Sequence, residues 1–347
     1  MKITIDRWSA LALTRFVLAF IVAVHHLAKV MPVGWLSWVP MLGPFEAMLG
    51  FLLISGYSIG SSYAVAPAGF LKRRAWRVYP VYLAAIVLTC FAIPQPRDAA
   101  FMSTLLQNVF FTNQITTDTS LIVPAWSLAL EVWLYCLTPL LWKVRTEHLR
   151  LAMFASFGAY CCYEVCRTAL HLPYYAGTSY GANLPLLSFT WLAGFLLARE
   201  PVHALRTIRD CTLMFLGHIL LTAAVHTLYL WKHAQLPEIW SFLSDLSWKA
   251  CTLWAVLEIF KWIARGQSGT MKSDTMRLLG DISYPLYVVH IAVFAIAVGI
   301  GLRSSTLILG IALLTAFLFY YCVDFYGRGR EHASRAPQIA VVAENRL

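Results

Sequence analysis

Arg15 and His26 are the residues best placed to do chemistry in this chain. Both sit in LALTRFVLAFIVAVHHLAKV, where the positions between them are almost all apolar. Eleven positions on an α-helix advance about 1100°, roughly 20° beyond three full turns, so the two share one stripe about 16 Å apart along the axis. An ionisable side chain inside an apolar segment of this kind is expensive, faces other protein rather than lipid, and marks a functional site by default. A neutral imidazole in such a place can take a proton from a weak nucleophile such as a hydroxyl. A guanidinium can grip phosphate or carboxylate oxygens through paired N–H groups. The separation of about 16 Å excludes direct contact between the two. His25 lies about 100° around the helix and is expected to look elsewhere.

Other polar residues interrupt later apolar runs. GFLKRRAWRVYPVYL carries Lys72, Arg73, Arg74 and Arg77 among aromatics. Positive-inside anchoring and an aromatic belt account for such a loop. Yet Arg74 and Arg77, spaced i, i+3 at the start of a helix, also make a fork suited to phosphate, which implies a phosphorylated cofactor. Pro80 is expected early in the span that follows, where a missing N–H costs little. PAWSLALEVWLYCLTP puts Glu131 near 7 Å into its span, Tyr135 one turn further and Trp126 at the interface. Glu131 either pairs with an arginine or histidine of another helix, or orients a catalytic histidine or contacts a substrate hydroxyl. GDISYPLYVVH reads as a helix opening, capped by Asp281 or Ser283, with Pro285 in its first turn and Tyr284, Tyr287 and His290 recurring every three residues. In GFLLISGYSIGSSY small residues permit close helix contact, and Ser55 reads as packing because no GxSxG elbow surrounds it.

The solvent of these elements is named by composition. Hydrophobic residues make up 59% and charged ones only 13% of 347 residues, with a mean hydropathy of +0.66; an ordinary soluble domain is about one-quarter charged. The chain therefore reads as an all-α, polytopic integral membrane protein. Spans are expected at 9–31, 42–63, 78–94, 125–142, 151–170, 184–199, 211–231, 246–264, 281–300 and 305–325. FMSTLLQNVFFTNQI at 101–115 reads as an interfacial or re-entrant piece.

The net charge of +10 does not point to nucleic acid, because the basic residues recur in short loops between apolar runs. With the N-terminus in the cytoplasm, the inner segments hold Lys2 and Arg7, the Lys72–Arg77 group, Lys143, Arg145 and Arg150, Arg199 to Arg209, Lys261 to Arg277, and Arg328, Arg330, Arg335 and Arg346. Outer loops hold only Arg97, Lys232 and Arg303, while Lys29, Arg167 and Lys249 lie near outer helix ends where long side chains snorkel. Both termini are thus expected inside. No small-residue cleavage site follows the first run, so it is expected to be retained as helix one. Eight cysteines fall within or at the ends of spans without CxxC or zinc spacing, so packing is expected of them and no metal is. Residues 1–325 are expected to form one membrane body and 326–347 a short cytoplasmic tail.

Arg15 with His26 eleven positions on, FLLISGY, RRAWRVYP, WSLALEVWLY and GDISYPLYVVH stand in the order found in the membrane-bound acyltransferase-3 family, which the chain resembles over roughly residues 8 to 325. The resemblance implies a stand-alone O-acyltransferase with a ten-span core in an inner, cytoplasmic membrane. It implies transfer of an acyl group, commonly acetyl, from cytoplasmic acetyl-CoA to a hydroxyl of a carbohydrate or glycolipid acceptor at the far side. It carries functional roles onto His26, Arg15, Arg74, Arg77, Trp126, Ser127, Ser283 and Tyr284; together with the residue reading above, catalytic roles are expected of His26, Arg15 and Glu131, and cofactor contacts of Arg73, Arg74, Arg77, Tyr82, Ser283 and Tyr284. Substrate contacts fall on Trp126, Ser127 and His290. Membrane lipids are the expected surroundings, nucleic acid is not an expected partner, and a homo-oligomer is compatible with the family. Two departures stand out. The doubled His25–His26 is resolved toward His26 by spacing, and the EKP-like motif some relatives carry after the last span is replaced by VDFYGRG. The alternative is a proton-coupled transporter, with Arg15, His26, Glu131, Glu164, Glu258 and His290 lining a proton path. No internal repeat supports that, and transport does not require the basic, aromatic loop.

Overall fold

Asp6 starts the first helix by accepting hydrogen bonds from the N–H groups of Trp8, at 2.9 Å, and Ser9, at 3.4 Å. The structure, a computed structural model, describes residues 5–94, 96, 98–233 and 235–325. Lys2, Arg97, Arg328, Arg330, Arg335, Arg346, the 326–347 tail and the side chain of Asp324 lie outside them. The chain is 80% helical, with no strand among the described residues. Its helices are α1 (Arg7–Ala28), α2 (Pro44–Val65), α3 (Phe70–Ala92), α4 (Ala99–Val109), α5 (Ala125–Leu141), α6 (Thr146–Leu170), α7 (Asn183–Arg199), α8 (Ala204–Lys232), α9 (Ile239–Ala264), α10 (Asp274–Gly299) and α11 (Ser305–Phe319). Six stretches among the described residues are long and apolar enough to cross a membrane: α1, α2, α3, α8 with the residues leading into it from Pro201, α10, and α11 with its extension to Val323. The expected interfacial piece is the 11-residue α4.

Two helix ends differ from the sequence expectation. α3 begins at Phe70, so the basic stretch is helix rather than loop and Pro80 lies well inside it. α10 begins at Asp274 with Ser273 as its cap, which puts Asp281, Ser283 and Pro285 in its interior. Hydropathy marks where lipid begins, whereas a helix runs on until a cap ends it, so both helices extend beyond their apolar runs.

Glycine sets the two contacts that position the site. A Cβ on Gly56 of α2 would lie 1.9 Å from the carbonyl oxygen of Trp191, and one on Gly194 of α7 would lie 2.0 Å from that of Leu53. The two backbones thus touch directly, the close approach that small residues permit in membranes. On Gly280 of α10 a Cβ would come within 2.4 Å of the Ala12 Cβ, which brings α10 against α1. Their first turns are tied together outside the apolar stretch. Arg277 pairs with Asp6 at 3.3 Å, and the Ser273 N–H donates to Ser9 Oγ at 3.1 Å. Burial pushes the Asp6 carboxyl up, but the Ser9 hydroxyl, the Trp8 and Ser9 N–H groups and Arg277 outweigh it and hold it below its ordinary value.

Candidate active site

α1 and α10 bring the imidazoles together. His26 Nδ1 lies 3.0 Å from His290 Nε2, with the rings stacked at 5.2 Å between centroids. His290 is fully buried, and its Nδ1 lies 2.9 Å from the Leu286 carbonyl oxygen. A carbonyl only accepts, so His290 carries its hydrogen on Nδ1 and offers a lone pair at Nε2. His26 must then donate from Nδ1, which leaves its Nε2 as a bare lone pair. The pair therefore selects the tautomer of His26 that can act as a base. His290, expected at the substrate, instead holds His26.

His26 lines a cavity of about 630 Å³ together with His25, Lys29, Glu46, Trp126 and Lys249. His25 thus faces the same space as His26, against expectation. The cavity is broad enough at the C-terminal end of α1 to span the roughly 100° between consecutive side chains.

Arg15 lines a different cavity, of about 320 Å³, with Ser55, Arg74, Arg77, Glu131 and Tyr284. Its Nη2 donates to Ser58 Oγ at 2.5 Å. Arg74 Nη2 donates likewise to Ser62 Oγ at 2.5 Å, while its Nε is buried without a partner among the described residues. Arg74 and Arg77 also line an adjoining cavity of about 680 Å³ with Arg7, Tyr57, Arg73 and Trp76. The orphaned N–H and the clustered guanidinia fit an oxyanion such as phosphate. Arg73 is more committed, donating to the backbone carbonyls of Ala66 and Ala68 at the turn between α2 and α3.

Among the described residues Glu131 has no hydrogen bond to a histidine. It accepts hydrogen bonds from Ser55 Oγ and the Tyr135 hydroxyl. Ser55, read from sequence as packing, is thus a hydrogen-bonding group in the wall of the arginine cavity. Ser127 and Ser283 also line it; Ser127 Oγ lies 2.7 Å from the Tyr287 hydroxyl and Ser283 Oγ donates to Gly280 O at 2.6 Å. Trp126, one residue earlier, lines the histidine cavity instead. Tyr82 lines neither. It is fully buried, stacked on Phe111 at 4.3 Å, with its hydroxyl donating to Asn108 O at 3.2 Å. Five positions beyond Arg77 it has turned about 140° from the basic face, toward α4.

A family model described as an acyltransferase domain matches residues 8–327. The chain belongs to the acyltransferase-3 family. No curated protein and no solved structure matches it. As a membrane acyltransferase it needs a place for a donor and a place for an acceptor, and the bundle has two cavities that meet. Met48 and Tyr287 line both. Neither residue stood out in the sequence as a wall, and only the every-third-residue stripe on α10 hinted at Tyr287. The acids of the proton-path alternative do not gather with His26. Glu164 binds Arg167 and the Tyr175 hydroxyl, each at 2.8 Å, and Glu258 binds Lys261 at 2.7 Å.

Proposed function

We propose that this protein moves an acyl group, acetyl by preference, from acyl-CoA on the cytoplasmic side to a hydroxyl of a carbohydrate-type acceptor on the opposite side. The observation that carries the reading is the pairing of two cavities, one edged by guanidinia and one by a tautomer-fixed imidazole, across a wall of two side chains. Positive-inside bias supports the orientation, with ten spans (α1 to α3 and α5 to α11), both termini cytoplasmic and residues 1–325 acting as one catalytic body.

Arg74 and Arg77 hold the phosphates of the donor, and Arg15 with Ser58 lines its way inward. The donor supplies an activated acyl thioester and a thiolate leaving group. His26 Nε2 takes the proton of the acceptor hydroxyl as its oxygen attacks the acyl carbon, and returns that proton to the departing sulfur. His290 keeps His26 in the right tautomer throughout and stabilises the charge it acquires. Glu131, held by Ser55 and Tyr135, lies in the donor cavity and positions the inner polar network.

The test is purified protein in nanodiscs, assayed for acetyl-CoA binding and thiol release, with His26→Ala and Arg74→Ala alongside. His26→Ala should slow turnover about 100-fold or more while binding persists, and Arg74→Ala should weaken binding. If neither changes either quantity, the enzyme reading fails. A reporter fused after Gly177 should face outward and one after Arg206 inward; the reverse pattern inverts the orientation.

A further inference from the structure

A second histidine chain lies behind the histidine cavity. Glu46, in the first turn of α2, is 4% exposed, and its Oε1 lies 3.2 Å from Nε2 of His218 on α8. His218 Nδ1 lies 2.7 Å from the hydroxyl of Tyr160 on α6. All three are buried. A carboxylate only accepts, so His218 carries its hydrogen on Nε2 and its Nδ1 accepts from Tyr160. Every hydrogen in the chain points toward Glu46.

That end is the one that reaches open space. Glu46 lines the same cavity as His26, whereas His218 and Tyr160 do not. Its Oε2 has no hydrogen bond among the described residues and rests against Gly43, where φ is +81° and a Cβ would fall 1.9 Å from it. Glycine at 43 is what leaves room for the carboxylate. Oε2 is not among the buried side-chain atoms left without a partner, so it opens on the cavity and is free to accept a hydrogen bond from what enters it. Beside Glu46 the rings of Trp126 and Tyr174 meet at 77°, 6.4 Å between centroids, and both line the cavity. Arg167 lies 5.9 Å from the Tyr174 ring and braces it. An aromatic corner beside an open carboxylate suits a ring with an apolar C–H face and hydroxyl donors. Lys29 and Lys249 line the same cavity against Glu46 and Asp245, so its formal charge balances, which suits a neutral polyhydroxyl ring better than a net ion.

We propose that Glu46, held by the His218–Tyr160 chain, recognises the acceptor, accepting a hydrogen bond from a hydroxyl of a sugar ring stacked on Trp126 or Tyr174. The hydroxyl it binds is a neighbour of the one that reacts at His26. The proposal rests on the hydroxyl acceptor proposed above and assigns three residues to its selection, Glu46 as the contact and His218 and Tyr160 as positioning residues.

Methyl glycosides of glucose, galactose, mannose, rhamnose and N-acetylglucosamine, with their monodeoxy analogues, serve as probes, read as thiol release from acetyl-CoA above the hydrolysis background. Glu46→Gln keeps the volume and the oxygen that accepts from His218, but puts an amide N–H₂ where the free oxygen was. It should raise the KM of the best glycoside about 10- to 100-fold, the range for losing a hydrogen bond to a charged group, with a smaller fall in kcat. Tyr160→Phe should raise the same KM about 3-fold, with the KM for acetyl-CoA shifted little in both variants; the melting temperature should shift little in Glu46→Gln and fall by a few degrees in Tyr160→Phe, which leaves the buried His218 Nδ1 without its donor. The unsubstituted protein should also discriminate against one monodeoxy glycoside, and Glu46→Gln should erase that discrimination. If glycosides stimulate thiol release but the two variants keep the glycoside KM, the assignment of Glu46 is overturned and the acyltransferase reading stands. If no glycoside stimulates the unsubstituted protein, the carbohydrate acceptor falls, and this proposal falls with it.

Discussion

His290→Phe removes the acceptor for His26 Nδ1–H while nearly preserving the buried volume. In the structure that hydrogen bond is 3.0 Å long and His290 is fully buried, so no water replaces the lost acceptor easily. His26 then has two options, to leave a buried N–H without a partner or to abandon its tautomer and orientation. The first costs about 1–3 kcal/mol, equivalent to roughly 5- to 150-fold at about 1.4 kcal/mol per tenfold. The second removes the base lone pair from the reacting position. Either way kcat should fall by about 10- to 100-fold, while the KM for acetyl-CoA stays within about twofold because Arg74 and Arg77 lie in a different cavity. His26→Ala, which deletes the proposed base, should cost more, about 100- to 10,000-fold. The double variant should be no worse than His26→Ala, since a positioning residue has nothing left to position. The assay is steady-state thiol release in nanodiscs with acetyl-CoA varied at saturating acceptor. A His290→Phe variant that is slower than His26→Ala would reverse the roles of the two imidazoles, and one within twofold of the unsubstituted enzyme would falsify the tautomer reasoning.

Arg74→Lys keeps the charge but loses the planar fork and the Nε–H, so the KM for acetyl-CoA should rise about 10-fold or more with less than a threefold change in kcat; a fall in kcat at constant KM contradicts phosphate binding there. Gly56→Ala forces a methyl to within 1.9 Å of a backbone oxygen and should destabilise the protein by about 1–3 kcal/mol, whereas Gly158→Ala, with nothing within 4 Å, should stabilise by about 0.5–1 kcal/mol. Thermal unfolding in detergent separates the two, and equal shifts rule out the close α2–α7 contact. Asp6→Asn keeps the cap but loses the charge that pairs with Arg277, so it should melt earlier at pH 7. Because the folded carboxyl sits below its ordinary 3.8, the stability it contributes is complete above that pH and is lost as pH falls through the lower, folded value. The gap between variant and parent in melting temperature should therefore begin to narrow below about pH 3.8 and vanish only below the folded value; a gap that does not narrow on acidification excludes the ion pair as its source.

What could be read from the chain alone lies within single helices. The stripe of Arg15 and His26 follows from 3.6 residues per turn, and so does the recurrence of Tyr284, Tyr287 and His290. Small residues at Gly56 and Gly60 announced a close contact but not its partner, the α7 backbone at Trp191 and Phe195. Partners across helices were illegible for the same reason. Nothing near Glu131 in sequence indicates Ser55, 76 positions away, and nothing near His26 indicates His290, 264 positions away. Those pairs depend on which helices touch, and without homologous sequences no local pattern encodes that. Tyr82 stands five positions beyond Arg77, but nearness in sequence is not nearness in space, and its angle about the helix turns it toward Phe111 and away from the basic face.

The same angular logic explains how short motifs serve both cavities. Trp126 and Ser127 are adjacent, yet about 100° apart around α5, and Trp126 lines the histidine cavity while Ser127 lines the arginine cavity. On α10 the stripe climbs about 4.5 Å at each third residue. Tyr284 lines the arginine cavity, Tyr287 lines both, and His290 sits against His26. The Tyr287 hydroxyl is fastened twice, at 2.7 Å to Ser127 Oγ and as donor at 3.0 Å to the carbonyl of Pro124. A side chain that walls two cavities and is held by the motif between them is the place an acyl group must pass if it goes from guanidinium to imidazole.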